Sequence, residues 1–162
     1  MEQARENKSV RAVPEGHHTV TPYLVADNAQ GLLDFIQNAF NGNITFVTKT
    51  GDGKIMHATV TIGDSIVMVA DTMEGMEAHT AMLYLYLEDV DKVFKQAVQA
   101  KGTPVREPVT EFYGDRAGAV KDQWGNLWWI ATHVEDVDPD QLERRTAEMM
   151  KEQKQRSGEV HA

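Results

Sequence analysis

His57 lies in the alternating stretch Met56-His-Ala-Thr-Val-Thr-Ile62. His57, Thr59 and Thr61 share one face there, and Met56, Ala58, Val60 and Ile62 the other. On a strand whose polar face lines a cavity, that imidazole could act as a general base, a hydrogen-bond donor to a ligand, or one member of a metal site. A structural histidine bonded to a neighbouring strand fits the same pattern. His133 closes a second apolar run, with Glu135 and Asp136 close enough in sequence to orient it; capping or interface packing is the alternative. His17, His18, His79 and His161 fall in irregular segments without such a pattern.

Trp124, Trp128 and Trp129 cluster in a chain with only 7% aromatic residues. Alternation on a strand sends Trp128 and Trp129 to opposite faces, so one enters the core. The other, with Tyr84, Tyr86 and Phe112, could form a stacking wall for a flat or cationic molecule. Plain core packing accounts for at least one of the three. Asp115-Arg116, after Tyr113-Gly114, could offer a guanidinium fork to a ligand carboxylate or phosphate, or pin its own loop through an internal ion pair. There is no Gly-rich phosphate loop, no Gly-x-Ser-x-Gly elbow and no His-Glu-x-x-His. Ser65 follows Gly63-Asp64 in a turn with no base assigned to it, which argues against a hydrolytic nucleophile.

These residues need elements to position them. Residues 1–17 are polar and aperiodic and read as a flexible arm. A strand is expected over 20–25, with Pro22 tolerable near its start or on an edge. Asp27-Asn-Ala-Gln30 reads as a capping box, and Leu32, Leu33, Ile36 and Phe40 recur at helical spacing up to Gly42. Strands follow over 44–50 and 55–62, and Gly63-Asp64 turns the chain into a further strand through Ala70. After a Met/Glu/Gly segment over 72–78 the order repeats: strand 80–87, helix 90–101 stopped by Gly102, strand 103–108, then a hairpin in which Gly125-Asn126 supplies the turn. Leu33-Asp-Phe-Ile-Gln-Asn-Ala-Phe-Asn-Gly42 matches Val93-Phe-Lys-Gln-Ala-Val-Gln-Ala-Lys-Gly102 in pattern, at an offset of 60 residues. Each half is therefore β-α-β-β-β. Asp138, Pro139 and Gln141 then start a C-terminal helix. It has a narrow apolar stripe, and either packs on a partner subunit or is mostly solvated and frays after Met150.

At 162 residues the chain makes one ordinary domain, or two small halves sharing a core. The domain proper is expected over 18–137, with modules at about 18–71 and 79–133 and a helix with a charged tail over 138–162. A net charge of −9 argues against nucleic acid and suits a cationic ligand or simple solubility. No apolar run approaches the ~20 residues of a membrane span, and the first residues lack the apolar core of a signal peptide. The absence of cysteine removes disulfides, thiolate nucleophiles and Cys-based metal sites. A cytoplasmic location is expected.

Pro22-Tyr-Leu-Val, Ile55-Met-His-Ala, Ile62-Gly-Asp-Ser, Leu87-Glu-Asp-Val-Asp, Tyr113-Gly-Asp-Arg and Trp128-Trp-Ile-Ala-Thr-His-Val-Glu-Asp occur in an order and spacing that resembles the vicinal oxygen chelate superfamily. Within it the chain looks like the PhnB-like glyoxalase/bleomycin-resistance branch, over about residues 19–137. One departure is Asp122-Gln-Trp-Gly-Asn126, where the family often has Asp-Pro-Phe-Gly-His. The resemblance implies an α+β fold of two β-α-β-β-β modules forming a half-open barrel, here with an added C-terminal helix, and commonly a homodimer. Metal-dependent members carry His, Gln or Glu at four strand positions. By strand register these map to about Val20, Met68, Met82 and Trp129, none of them a hard or borderline ligand. No cofactor is therefore expected, with a divalent metal as the alternative. The same mapping turns Trp129 toward the cavity and Trp128 toward the core. The expected function is binding of a partly aromatic small molecule through His57, Thr59, Met68, Met82, Tyr84, Phe112, Arg116 and Trp129. The competing expectation is a glyoxalase-like lyase or isomerase, metal-dependent or using His57 as base.

Overall fold

The computed structural model describes residues 10–159; His161 and the first part of the expected arm lie outside them. Residues 10–22 contain no helix or strand. The elements are β1 (Tyr23–Ala26), α1 (Ala29–Phe40), β2 (Asn43–Lys49), β3 (Ile55–Ile62), β4 (Ser65–Asp71), β5 (Met82–Tyr86), α2 (Val90–Gln99), β6 (Thr103–Thr110), β7 (Asp115–Lys121), β8 (Leu127–His133) and α3 (Pro139–Glu159). They form two four-stranded mixed sheets, ordered β1-β4-β3-β2 and β5-β8-β7-β6. In each sheet the first strand is parallel to the last and the other pairs are antiparallel. This is the β-α-β-β-β unit twice over, in sheets that do not close on each other.

Alternation decides which face each strand buries. Leu24, Ala26, Ala58, Val60, Val67 and Val69 line the helix side of the first sheet, and Trp128 and Ile130 that of the second. Both sets join Leu32, Leu33, Ile36 and Phe40 of α1 and Phe94 of α2 in a single core. Trp128 is completely buried, with Phe40 4.9 Å and Phe35 6.2 Å from its ring. Each sheet thus has its own helix on one face, and α1 packs against α2. The opposite face of each sheet carries no helix.

The helix ends follow one plan in both modules. Asp71 at the end of β4 accepts the Ala29 amide at 2.7 Å, and Thr132 at the end of β8 accepts that of Val90 at 3.0 Å, so the last strand of each unit caps its helix. The first helix is also capped by Asn28, which accepts from Gly31, rather than by Asp27 as the sequence pattern suggests; Asp27 bonds Thr72 instead. At the C-terminal ends Asn41 and Lys101 adopt the left-handed conformation, and the glycines that follow supply closeness. A Cβ on Gly42 would meet Ile36 Cγ2 at 2.8 Å, and one on Gly102 would meet the Ala97 carbonyl oxygen at the same distance.

Three further expectations are corrected. The first strand begins at Tyr23, three residues after Val20, because Pro22 has no N–H to give a ladder and Thr21 bonds back to the His18 carbonyl. The β7–β8 turn spans residues 122–126 and is organised by Asp122, whose carboxylate accepts the Trp124 and Asn126 amides, the Asn126 side chain and the Trp128 indole N–H. Only Gly125 in that turn has positive φ. Finally, α3 does not stop at Met150 but runs to Glu159, with Asp138 accepting the Gln141 amide at its start as expected. Among the described residues it packs on no other helix or strand; Arg145, paired with Glu135 and donating to the Phe112 carbonyl, fastens it to the body.

Candidate functional site

The helix-free faces carry the chemistry, and cross-strand register places it in rows. In the first sheet one row runs Tyr23, Met68, Thr59, Phe46. His57 lies one step along, its Nδ1 3.1 Å from the Tyr23 hydroxyl, with the Phe46 ring 6.1 Å away. In the second sheet the corresponding row is Tyr84, Trp129, Ala119, Arg106. Beyond it the face continues through Tyr86, Ala131 and Ala117 to His133 and Asp115. The strand register therefore brings His57, Thr59 and Met68 together on one sheet and Met82, Tyr84 and Trp129 on the other.

Asp115 is the hub of the second face. Its side chain is 4% exposed. Oδ1 lies 2.8 Å from His133 Nδ1, and Oδ2 accepts the hydroxyls of Tyr84 and Tyr86, both at 3.0 Å. Burial pushes the Asp115 carboxyl up, but the hydrogen bonds from His133, Tyr84 and Tyr86 outweigh it and hold it below the usual carboxylate range. Burial first, then Tyr113 and Asp115, push the Tyr84 phenol up; for Tyr86 the Asp115 hydrogen bond is the larger cause. His133 Nε2 meets Asp136 at 2.8 Å. With a carboxylate at each ring nitrogen both must donate, which is the imidazolium form, and Asp115 followed by Asp136 raises the His133 pKa accordingly. His133 is thus built to be a cation between carboxylates, with neither nitrogen free to take a proton. The sequence shows Asp136 as its neighbour but not Asp115, which the β7–β8 register delivers.

Trp129 stacks on Tyr84, with ring centroids 6.1 Å apart and planes 12° from parallel, while the Arg106 guanidinium stands 5.8 Å from the indole centroid. Arg106 Nη2 also contacts Glu111 Oε1 at 2.6 Å. Among the described residues two buried side-chain polar atoms have no aligned hydrogen-bond partner, Trp129 Nε1 and Glu111 Oε1, and both flank Arg106. Arg106 and Glu111 are absent from the sequence-based candidates. The signal that would have found Arg106 is the 60-residue offset, which relates it to Phe46.

Other candidates fall elsewhere. Arg116 is on the helix side of β7, where Nε and Nη2 make two 2.8 Å bonds to Asp91 of α2, so the fork is spent inside the protein. Phe112 sits in the β6–β7 turn, edge-on to Tyr113 at 5.3 Å, with its carbonyl taken by Arg145. Trp124 lies far from Trp129 in role: its Nε1 bonds the Asp27 carbonyl, and it lines a cleft of about 380 Å³ between the modules with Phe35 and Lys101.

The metal positions shift with β1. The duplication relates Tyr23 to Tyr84 and Met68 to Trp129, each pair 61 residues apart and mutually opposed in the ladder. Val20 is outside the strand and 84% exposed, and Met82 pairs with Leu127 two residues from Tyr84. Neither set offers a carboxylate or imidazole, so the residues do not fit a divalent cation. No group of three His, Asp or Glu side chains among the described residues converges as a metal site.

A family model for the glyoxalase/bleomycin resistance protein/dioxygenase superfamily matches residues 16–130. The chain belongs to this superfamily. An uncharacterised protein of Mycobacterium bovis is 30% identical over 135 residues, covering 76% of this chain and 89% of that one; an uncharacterised protein of Mycobacterium tuberculosis matches at the same identity, over 79% of its length. Among solved structures, TioX from Micromonospora sp. ML1 superposes with a TM-score of 0.59 at 22% identity, covering 71% of this chain and 99% of that one. A PhnB protein from Bacillus cereus gives 0.58 at 19%, with the same coverages. These likenesses show that superfamily members of PhnB type share the fold. No helix of the described residues is long and apolar enough to cross a membrane.

Proposed function

We propose that this superfamily member binds a partly aromatic small molecule over the helix-free face of its second sheet, without a divalent metal, in a cavity that a second copy of the chain completes. One observation carries the reading: a buried carboxylate wired to two tyrosines and a histidine, beside a tryptophan with an unpartnered N–H, on a face that no helix or strand among the described residues covers. The Asp115 cluster is satisfied internally, but the Trp129 N–H beside it is buried without a partner, a cost that core packing alone does not explain. Exposed Tyr23 and Phe46 on one face, and Met82, Tyr84 and Tyr86 on the other, support a covering partner. The two exposed apolar faces belong to matching units of one chain, so the partner in this reading is a second copy, and the expected assembly is a homodimer.

Light scattering at micromolar concentration should return about twice the 18.1 kDa chain mass. Titration with flat aromatic probes should quench tryptophan fluorescence in the native protein and fail to do so in Trp129→Ala. Dialysis against a chelator should leave the affinity unchanged. A persistent monomer whose Trp129→Ala variant binds every probe as well as the native protein would sink the proposal.

A second reading is a metal-free lyase or isomerase using His57 as base. His57 Nδ1 is engaged by Tyr23, while Nε2 makes no hydrogen bond among the described residues. Under this reading His57→Gln abolishes turnover of a bound compound and leaves its affinity in place.

A further inference from the structure

We infer that the ligand of this site is a planar cation, and that Arg106 occupies its place on Trp129 until it arrives. The inference rests on the proposed ligand site and concerns how the indole becomes available. In the strand order β5-β8-β7-β6, Tyr84 and Arg106 approach Trp129 from opposite sides of β8. Both flanks of the ring are taken, and Nε1 is buried without an acceptor. A ligand that stacks on the indole in either flanking place does so by displacing one of the two. Tyr84 is tied down by its stacking and by its bond to buried Asp115. Arg106 projects from an edge strand, is 45% exposed at its side chain, and among the described residues is held by Glu111 and the indole. Arg106 is the side chain that moves.

Glu111 decides what can replace it. Its side chain is 13% exposed, and Arg106 is the cation against its buried Oε1. A neutral ligand that drives the guanidinium off leaves a largely buried carboxylate uncompensated, which is the costly way to break such a pair. An anionic ligand adds repulsion to that cost. A planar cation restores both lost interactions, positive charge over the indole and a partner for Glu111. Its arrival also uncovers Trp129 Nε1 for any acceptor it carries. The net charge of −9 raises the local concentration of such cations.

The test is isothermal titration of the full chain at pH 7.5 with three flat probes of one shape: 9-aminoacridinium, neutral acridine and acridine-9-carboxylate. The cation should bind about tenfold or more tighter than acridine, a spread typical of one charge interaction in a partly buried site. Arg106→Ala should tighten the cation several-fold, roughly what removing an internal competitor yields. Glu111→Gln should erase its advantage over acridine, and Glu107→Gln, on the same strand, should leave all three affinities unchanged. Arg106→Lys, which keeps the charge but not the planar fork, should fall between native and alanine forms. Equal affinity for cation and neutral probe in the native protein overturns the inference. So does a carboxylate that binds best and is lost in Arg106→Ala, because Arg106 would then be an anion receptor. Failure of all three probes overturns both this inference and the ligand site it rests on, whereas a wrong order among probes that do bind overturns the inference alone.

Discussion

The two sheets are the same backbone carrying different chemistry. Ile44 opposite Val60 and Phe46 opposite Thr59 in the first are matched by Pro104 opposite Val120 and Arg106 opposite Ala119 in the second, 60 residues on, and the same break in register falls between each pair. Even the irregularity is duplicated. On that shared frame the first face reads Tyr23, Met68, Thr59, Phe46 and the second Tyr84, Trp129, Ala119, Arg106. Two neutral side-chain bonds, Tyr23–His57 and Thr45–Thr59, mark the first; two charged pairs, Asp115–His133 and Arg106–Glu111, mark the second. What differs is side-chain chemistry at fixed positions: neutral groups on the first face, charged pairs beside stacked aromatic rings on the second.

The harshest way to break the comparison is from the inside. Trp128 and Val67 hold corresponding buried places, but the tryptophan fills the gap between modules, so Trp128→Ala should cost ~3–5 kcal/mol in chemical denaturation, and Val67→Ala clearly less. A similar loss at both positions would mean that the modules share the core equally. Next comes the hub. Asp115→Asn keeps the shape but discards the charge that His133, Tyr84 and Tyr86 converge on, and should cost about 1–3 kcal/mol, the scale of a charge-assisted buried hydrogen bond. An unchanged melt would reduce the network to decoration.

The smallest effect is in pH. His133 has its pKa raised in the folded state, so its contribution is fully present below its ordinary value of 6.5 and fades as pH climbs through the raised value. The melting temperature of the native protein should therefore decline relative to His133→Gln as pH rises above neutrality. The corresponding residue in the first module is Thr72, which cannot titrate, and Thr72→Val should leave the pH profile parallel to native. A profile for His133→Gln that tracks the native curve throughout would sever the link between this imidazole and the sheet.

Much of this was legible in the residues. The 60-residue offset, the polar face of His57 and Thr59, and the opposed placement of Trp128 and Trp129 follow from periodicities that need no tertiary information. The network around Asp115 was not, because it depends on which residues of β7 and β8 stand opposite each other. That register is set by a five-residue turn whose length follows from Asp122 gathering four donors, a tertiary outcome rather than a turn signature. Arg116 misled for a related reason: beside Asp115 in sequence, it points to the other side of the strand and meets Asp91 on a helix. Val20 misled because a proline two residues later delays the ladder until Tyr23.

Trp128 belongs to the second module and Phe35 and Phe40 to the first, yet the three rings form one contact cluster. An ancestral half-length unit would have had to bury this surface against a copy of itself. In the present chain each half lends side chains to the other's interior. Cutting the connection within residues 72–78 should thus give two fragments that remain unfolded apart and regain a sheet-rich spectrum only when mixed, because neither retains a complete interior of its own.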